Sequence, residues 1–348
     1  MTSEKPSSLN FPFPDPPRPG EVVTVAPGLL WARLALPFRL DHVNIYLIED
    51  GDGYAVLDTG IANAATRDAW QALVTGPLRG RRLTQLIVSH FHPDHIGLAG
   101  WLCETYAMPL VTTQTCYLGC LNISLSPGAM DMPVYADFYR RHGMSEDAVR
   151  LVTTQGHSYL HMVAPLPPTF RRLVAGEVLT IGQRRFEVLT GDGHAPEQAM
   201  LYCAAERLFL CADQVLAKIS PNIGVWAVDP DGDPLGLYLR SLAGLIQGLP
   251  ADVLVLPGHN LPFTGLHQRC AELIAHHEAR CDLIAQACAN GPQSVADIVP
   301  LLFTRALDPH QMSFAFSEAQ GHVNFMIRQQ RLSWIIAPDG TCRAALPA

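Results

Sequence analysis

The order of apolar and polar positions predicts alternating strands and helices in the first third of the chain. HVNIYLIED (42–50) and YAVLDTG (54–60) are β-rich runs joined by a glycine turn, which is typical of a hairpin. RDAWQALVTGPL (67–78) has helical periodicity, and LTQLIVSH (83–90) is a continuous apolar strand of the buried kind. This order indicates an α/β fold, in which polar residues that follow strand ends form sites.

Helix-like segments then interrupt the strands from about residue 115 to 169, and we interpret them as a helical insertion. Strand patterns return and are followed after residue 267 by three helical patterns and a hairpin turned at PDG (338–340), which together are typical of a winged-helix-like module. The predicted domains are an irregular proline-rich leader at 1–20, a catalytic domain at 21–266 that carries the insertion, and the winged-helix-like module at 267–348.

The charge of the chain argues against nucleic acid as a partner. The 348 residues carry a formal net charge of −8, and phosphate backbones are bound by basic surfaces. Residues 269–348 hold six arginines, no lysine and seven acidic residues, a net charge of −1. We therefore expect the last module to pack against the catalytic body or a second subunit, so that a homodimer is one expected assembly.

The sequence also favours a cytoplasmic protein. The first 20 residues lack the apolar stretch of a signal peptide, and nowhere does an apolar run reach the roughly 18 residues of a membrane span. The nine cysteines are scattered without a CxxC pair, which is typical of reduced thiols.

The densest chemistry lies in SHFHPDHIGLAG (89–100), directly after a buried strand. Imidazole and carboxylate groups are natural ligands of zinc and other divalent metals. Surface histidines beside a helix-capping aspartate are the alternative interpretation, but so dense a cluster at a strand end favours metal. The candidate ligands in this loop are His90, His92, Asp94 and His95.

Three more candidate ligands follow apolar strands in the same way. His194 comes after RFEVLT, Asp213 after LFLCA, and His259 after DVLVLP. Site residues collect in such turns. Seven ligands are enough for two metals about 3.5–4 Å apart, the arrangement of two-metal hydrolytic sites.

This ordered set resembles the metallo-β-lactamase superfamily. Residues 90–95 match the family's His-x-His-x-Asp-His motif, the three later ligands match in order, and residues 58–60 match its Asp-Thr-Gly element. The resemblance covers about residues 21–262. The tail, including HHEAR (276–280), resembles the winged-helix appendage of a glyoxalase II-like hydrolase branch.

The resemblance implies a four-layer αβ/βα sandwich with a two-metal cleft at one edge. It implies that His90, His92 and His194 hold the first metal, that Asp94, His95 and His259 hold the second, and that Asp213 bridges them. Asp58 would orient a ligand from behind. The expected cofactors are two divalent ions, most simply zinc, with iron and manganese as alternatives because all three accept N and O ligands.

The implied activity is hydrolysis of a small carbonyl substrate, a thioester or other ester, by a metal-bridging hydroxide. Two divalent charges lower the pKa of a bound water towards about 7, and Asp94 is the expected catalytic residue that orients the hydroxide and takes up its proton. Leu98, where lactonase-like relatives often carry glycine, and the lack of an Asn/Arg-rich glutathione-binding segment argue against lactones and glutathione thioesters.

Three other functions stay open from the sequence alone. They are a phosphodiesterase or endoribonuclease, a mononuclear iron oxygenase that uses only His90, His194 and Asp213, and a binding protein on an inert scaffold. For the substrate side, we expect the insertion to act as a lid, with Tyr159, Glu197 and Gln198 as candidate substrate-binding residues. Packing or turn-stabilising roles are the alternatives for these three.

Overall fold

The computed structural model describes residues 9–155 and 158–347. The first eight residues of the predicted leader and two residues of the predicted insertion lie outside the described residues. In the remainder of the leader, the Leu9 side chain is buried and the Asn10 backbone pairs with that of Thr264. This part of the leader therefore lies against folded structure.

The described strands form two sheets and one separate hairpin. A seven-stranded sheet has the order β1-β2-β3-β4-β5-β6-β7, and a five-stranded sheet has the order β12-β11-β10-β9-β8. The strands are β1 Val23–Ala26, β2 Leu29–Ala35, β3 His42–Asp50, β4 Gly53–Leu57, β5 Leu83–Val88, β6 Leu110–Thr112, β7 Arg171–Arg172, β8 Val178–Ile181, β9 Arg184–Gly191, β10 Gln198–Cys203, β11 Leu208–Ala212, β12 Leu254–Pro257, β13 Ser333–Ile336 and β14 Cys342–Ala345.

Helices are interspersed with these strands in the order that the periodicity predicts. They are α1 Ala64–Thr75, α2 Pro93–Ile96, α3 Ala99–Tyr106, α4 Gln114–Leu125, α5 Pro133–Arg141, α6 Glu146–Gln155, α7 Ser158–Met162, α8 Pro234–Gly248, α9 Leu266–Ala289, α10 Val295–Leu302 and α11 Pro309–Arg328, with a 3₁₀ turn at Pro127–Asp131. Within the described part of the chain, no helix is long and apolar enough to cross a membrane.

Buried apolar side chains between the two sheets explain why the sheets stack. Trp31 and Tyr46 of the first sheet and Phe186 of the second belong to one buried apolar cluster between the sheets. A second cluster covers the other face of the first sheet, where Trp70 of α1 and Leu102 of α3 are fully buried. Burying a large apolar side chain contributes about 1.5–3 kcal/mol, so these layers hold the sandwich together. The predicted two-sheet α/β fold is confirmed.

The chain divides into two compact units. The first comprises the chain up to Leu125, Tyr159–Pro221 and Leu245–Cys270, and contains both sheets. The second comprises Ser126–Ser158, Asn222–Gly244 and the chain from Ala271 onward.

The second unit contains three helices and a hairpin in its C-terminal part, as the sequence predicts. Its core includes the insertion, because Tyr139 of α5 packs on Phe316 of α11 with ring centroids 5.5 Å apart. A capping box between Ser294 and Asp297 starts α10, which fits the preference for serine at that position. The winged-helix assignment and the domain boundaries stay predictions.

Candidate metal centre

The candidate ligands gather at one edge of the two sheets, within the first unit. Strands β4 and β5 run parallel, as do β11 and β12, so each pair presents its C-terminal ends on the same side. Asp58 follows β4, His90 follows β5, and Asp213 and His259 follow β11 and β12. The structure thus brings together residues that lie far apart in sequence, as the strand-end pattern predicts.

The motif loop is held in place by the Asp-Thr-Gly element. The Thr59 hydroxyl donates to the carbonyl oxygen of His95 at 2.9 Å, and the Gly60 backbone N–H donates to that of Asp94 at 3.0 Å. Thr59 is itself fixed, because the Trp70 indole N–H donates to its carbonyl at 2.8 Å. The sharp turn from strand into α2 is therefore supported by hydrogen bonds from the Asp-Thr-Gly element.

Three histidines converge on one point. His90 Nε2 lies 3.0 Å from His92 Nδ1, and His92 Nδ1 lies 3.0 Å from His194 Nε2. Two ligands that bind one tetrahedral zinc at about 2.0–2.1 Å lie about 3.3 Å apart. The spacing of these nitrogens therefore fits a single bound metal ion.

A second group lies beside the first. The Asp94 Oδ2 atom lies 3.2 Å from His259 Nε2 and 3.6 Å from His95 Nε2. The candidate ligand atoms of these three residues all lie within 4.8 Å of one another. This is the second set of ligands that the sequence predicts.

Asp213 lies between the two groups. Its Oδ2 atom is 3.4 Å from His194 Nε2 in the first group, and it is 3.4 Å from His95 Nε2 and 3.2 Å from His259 Nε2 in the second. One carboxylate oxygen within this distance of both groups has the placement of a bridging ligand.

Hydrogen bonds behind the rings decide which nitrogen faces the centre. His95 Nδ1 lies 2.8 Å from Asp58 Oδ2, and His259 Nδ1 lies 2.6 Å from the carbonyl oxygen of His42. Because both acceptors require a proton on Nδ1, the neutral form of each ring would have its lone pair on Nε2. Metal-bound histidines usually have this support.

Buried polar atoms without a hydrogen-bond partner indicate whether the cluster suits a metal ion. His95 Nε2, His259 Nε2 and Asp213 Oδ1 are buried in the described structure without a hydrogen-bond partner. An unsatisfied buried polar atom costs about 1–3 kcal/mol. The two nitrogens lie 3.2–3.6 Å from the Asp94 and Asp213 carboxylates of the cluster, so a divalent ion bound there would satisfy them, and the residues fit such an ion.

The electrostatics of the cluster point the same way. Burial lowers the pKa of His259, but the Asp213 carboxylate and then Asp94 outweigh it and raise this pKa to about 10. Burial, with the neighbouring His194, lowers the pKa of His92 to about 3. The carboxylate side of the centre therefore attracts positive charge, whereas burial keeps the His92 imidazole neutral.

Solvent reaches the centre from the side of the motif loop. The Asp94 side chain is 19% exposed, whereas the His95 and His259 side chains are 0% and 1% exposed. Phe91 and His92, next to Asp94, are also only half-buried. A substrate would therefore approach across Asp94, which suits the catalytic role predicted for it.

The three candidate substrate residues lie in different surroundings. The Tyr159 hydroxyl donates to the Phe91 carbonyl oxygen at 2.6 Å, so it contacts the backbone of the motif loop. The Glu197 carboxylate accepts from the Thr115 backbone N–H at 2.9 Å, at the start of α4. Gln198 is fully buried, and its amide donates to Gln214 at 3.3 Å.

These placements favour the packing and turn-stabilising alternatives. Gln198 is fully buried and its amide contacts Gln214, so the substrate role predicted for it stays a prediction that its placement does not favour. The hydroxyl of Tyr159 and the carboxylate of Glu197 each have a backbone partner, which gives both a structural role.

Two supporting residues were missed from the sequence. The Ser89 hydroxyl donates to Asp58 Oδ2 at 2.9 Å and lies 2.9 Å from His90 Nδ1, so it links the two. A serine directly before the first ligand was a usable signal. His42 supports His259 through its backbone carbonyl. Because every residue type has this group, such a contact cannot be predicted from the sequence.

Two family models together match most of the chain. The model of the metallo-beta-lactamase superfamily matches residues 38–259, and that of the metallo-beta-lactamase-like C-terminal domain matches residues 281–345. The chain is 22% identical over 312 residues to the probable metallo-hydrolase YqjP of Bacillus subtilis (strain 168), covering 86% of this chain and 92% of that protein.

Two solved structures are similar over nearly the whole chain. A beta-lactamase domain protein from Burkholderia ambifaria has 37% identity and a TM-score of 0.90, covering 97% of this chain and 98% of that one. A metallo-beta-lactamase family protein from Thermus thermophilus has 27% identity and a TM-score of 0.78, covering 93% of this chain and 100% of that one.

Proposed function

The chain belongs to the metallo-beta-lactamase superfamily and is a metallo-hydrolase of that fold, and from this premise we propose that it is a dinuclear hydrolase of a small thioester or other ester. His90, His92 and His194 would hold one divalent ion. Asp94, His95 and His259 would hold the other, and Asp213 would contact both.

The placement of Asp213 carries the proposal. A single carboxylate oxygen 3.4 Å from His194 Nε2 and 3.2 Å from His259 Nε2 serves both groups of ligands. A mononuclear oxygenase site of His90, His194 and Asp213 would leave the buried Nε2 atoms of His95 and His259 without any partner. The dinuclear assignment accounts for all seven side chains.

The protein groups have separate tasks in such a reaction. Bound divalent ions would supply a Lewis acid for the substrate oxygen and would acidify a water molecule. Asp94, on the exposed side of the centre, orients that water and takes up its proton. Asp58 and the His42 carbonyl hold the rings of His95 and His259 in place.

The charge of the chain supports a small carbonyl substrate over a polyanion. The net charge is −8, and an acidic protein repels RNA and DNA at long range. Zinc is the proposed metal because imidazole and carboxylate ligands suit it. The nine free cysteines support a reducing compartment such as the cytoplasm.

The test combines metal analysis with a substrate panel. Metal-replete protein is assayed on thioesters, oxyesters, lactones and phosphodiesters, beside Asp213→Asn and the control Asp252→Asn, whose side chain is 63% exposed. We expect thioester or oxyester hydrolysis, with loss of metal and at least about 100-fold of kcat only in Asp213→Asn. Two bound metals without ester hydrolysis would refute the substrate class, and unchanged metal in Asp213→Asn would refute the bridging role.

A further inference from the structure

The core of the second unit contains another cluster of metal-binding side chains. His277 lies on α9, and Glu318 and His322 lie one turn apart on α11. Residues four apart project from the same face of a helix. All three are buried, with exposures of 0%, 7% and 0%. They are separate in sequence from the seven ligands of the candidate active site.

The atoms of this cluster have the spacing of a metal site. His277 Nδ1 and His322 Nε2 lie 3.1 Å apart. This is close to the 3.0 Å between His90 Nε2 and His92 Nδ1 in the candidate active site. The candidate ligand atoms of all three residues lie within 4.8 Å of one another, as they do in the active-site groups.

Hydrogen bonds around the cluster orient its ligands. His322 Nδ1 donates to the backbone carbonyl oxygen of Glu318 at 2.8 Å, which leaves the lone pair on Nε2. His95 and His259 are oriented by the same kind of support. The Glu318 carboxylate is held by donors on both oxygens, Arg280 Nη1 at 2.7 Å and Asn222 Nδ2 at 3.1 Å.

We propose that His277, Glu318 and His322 bind one divalent metal ion, with zinc as the expected species, and that this ion stabilises the second unit. Two imidazoles and a carboxylate form a common zinc ligand set. Burial lowers the pKa of His277 to about 2 and that of His322 to about 3, so both rings are neutral, the form that binds metal. Arg280 offsets part of the Glu318 charge, so this ion binds more weakly than those of the active site.

A plain hydrogen bond between the two rings is the competing explanation. His277 Nδ1–H would donate to His322 Nε2, and the cluster would then need no ion. The two explanations differ in metal content and in the response of folding to chelators, and neither measurement depends on catalytic activity.

The experiment removes the active-site metals first. In a His92→Ala, Asp213→Ala background, zinc-replete protein is dialysed and its metal content measured, with and without His322→Gln. His142→Gln is the matched control, because His142 is also buried in the second unit. We expect about one bound zinc per chain in the background and in the control, and loss of at least about tenfold in zinc affinity with His322→Gln.

A second readout covers the case in which His322→Gln does not fold. Cobalt(II) titration of the background chain should give the visible absorption of a tetrahedral ion, and a chelator should lower its Tm by several degrees. A background chain that binds no zinc, shows no cobalt spectrum and keeps its Tm in chelator would overturn the proposal. The same holds if His322→Gln folds and binds zinc as tightly as the control.

Discussion

His95 Nδ1 lies 2.8 Å from Asp58 Oδ2, and this contact turns His95 Nε2 towards Asp213, 3.4 Å away. Asp58 also accepts from the Ser89 backbone N–H at 2.8 Å. One carboxylate thus holds both ends of the strand-to-helix turn that carries the motif.

Replacing Asp58 by asparagine should weaken metal binding at the active site. Asparagine presents an NH₂ donor in place of one carboxylate oxygen, so it cannot accept from the Ser89 backbone N–H at one terminal atom and from His95 at the other, as the carboxylate does. Asp58 has a φ of 66°, which asparagine also tolerates, so the backbone should survive. We expect Asp58→Asn to lose about 10–100-fold in metal affinity, measured by competition with a chromophoric chelator.

The control for Asp58→Asn is the exposed Asp52→Asn, whose wild-type side chain is 77% exposed. Equal metal affinity in both variants would show that Asp58 does not support the ligands.

Replacing Tyr159 by phenylalanine separates support of the loop from contact with substrate. The variant loses the hydrogen bond to the Phe91 carbonyl, which is worth about 1 kcal/mol. We expect a several-fold lower kcat and weaker metal retention with KM unchanged, measured by steady-state kinetics on the substrate identified in the panel. Tyr106→Phe is the control, and a raised KM with an unchanged kcat would instead assign Tyr159 to the substrate.

Gly100 lies where α3 contacts the segment after α7. A Cβ at this position would overlap the backbone carbonyl of Pro165, and backbone cannot move aside cheaply. Gly100→Ala should therefore lower the free energy of unfolding by about 1–3 kcal/mol, measured by urea denaturation.

Gly244→Ala provides the opposite case. Gly244 is exposed in α8 with nothing within 4 Å of its added Cβ, so alanine should stabilise by roughly 0.5–1 kcal/mol. Similar effects of the two substitutions would contradict the steric explanation.

His142 should make the second unit sensitive to mild acid. Burial lowers its pKa below the usual 6.5, so the unfolded chain takes up a proton before the folded chain does. The contribution to stability is complete above pH 6.5 and falls as pH drops below it, by no more than about 1.4 kcal/mol per pH unit. Wild type should therefore lose more stability than His142→Gln between pH 7.5 and 5.5 in urea titrations at each pH, and equal losses would contradict this.

Much of the centre was predictable from sequence because its ligands follow apolar strands. His194, Asp213 and His259 each occupy a turn after such a strand, and the parallel pairing of β11 and β12 brings the turns of Asp213 and His259 to one edge. The burial of the Gln198 side chain was not predictable, because β10 is buried at all six positions. A strand covered on both faces shows no alternation, so its sequence does not reveal which side chains face a cleft.

The pairing of distant helices was not predictable either. His277 and Glu318 lie on separate helices, and their approach depends on how α9 and α11 pack. The spacing of Glu318 and His322 on one helix was a signal, but a shared helix face without its partner does not identify a ligand set. Long-range packing therefore limits what a single sequence reveals about this cluster.

The hydrogen bonds that orient His95 and His259 also bear on which metal the protein acquires in the cell. Because Asp58 and the His42 carbonyl hold these rings, their orientation does not depend on the ion, and binding loses little side-chain entropy. Imidazole and carboxylate donors accept zinc, iron and manganese alike, so metal availability helps to decide which of them is bound. The ion found in the purified protein should therefore follow the metal in the growth medium, so that cells grown on iron or manganese yield a different occupant from those grown on zinc.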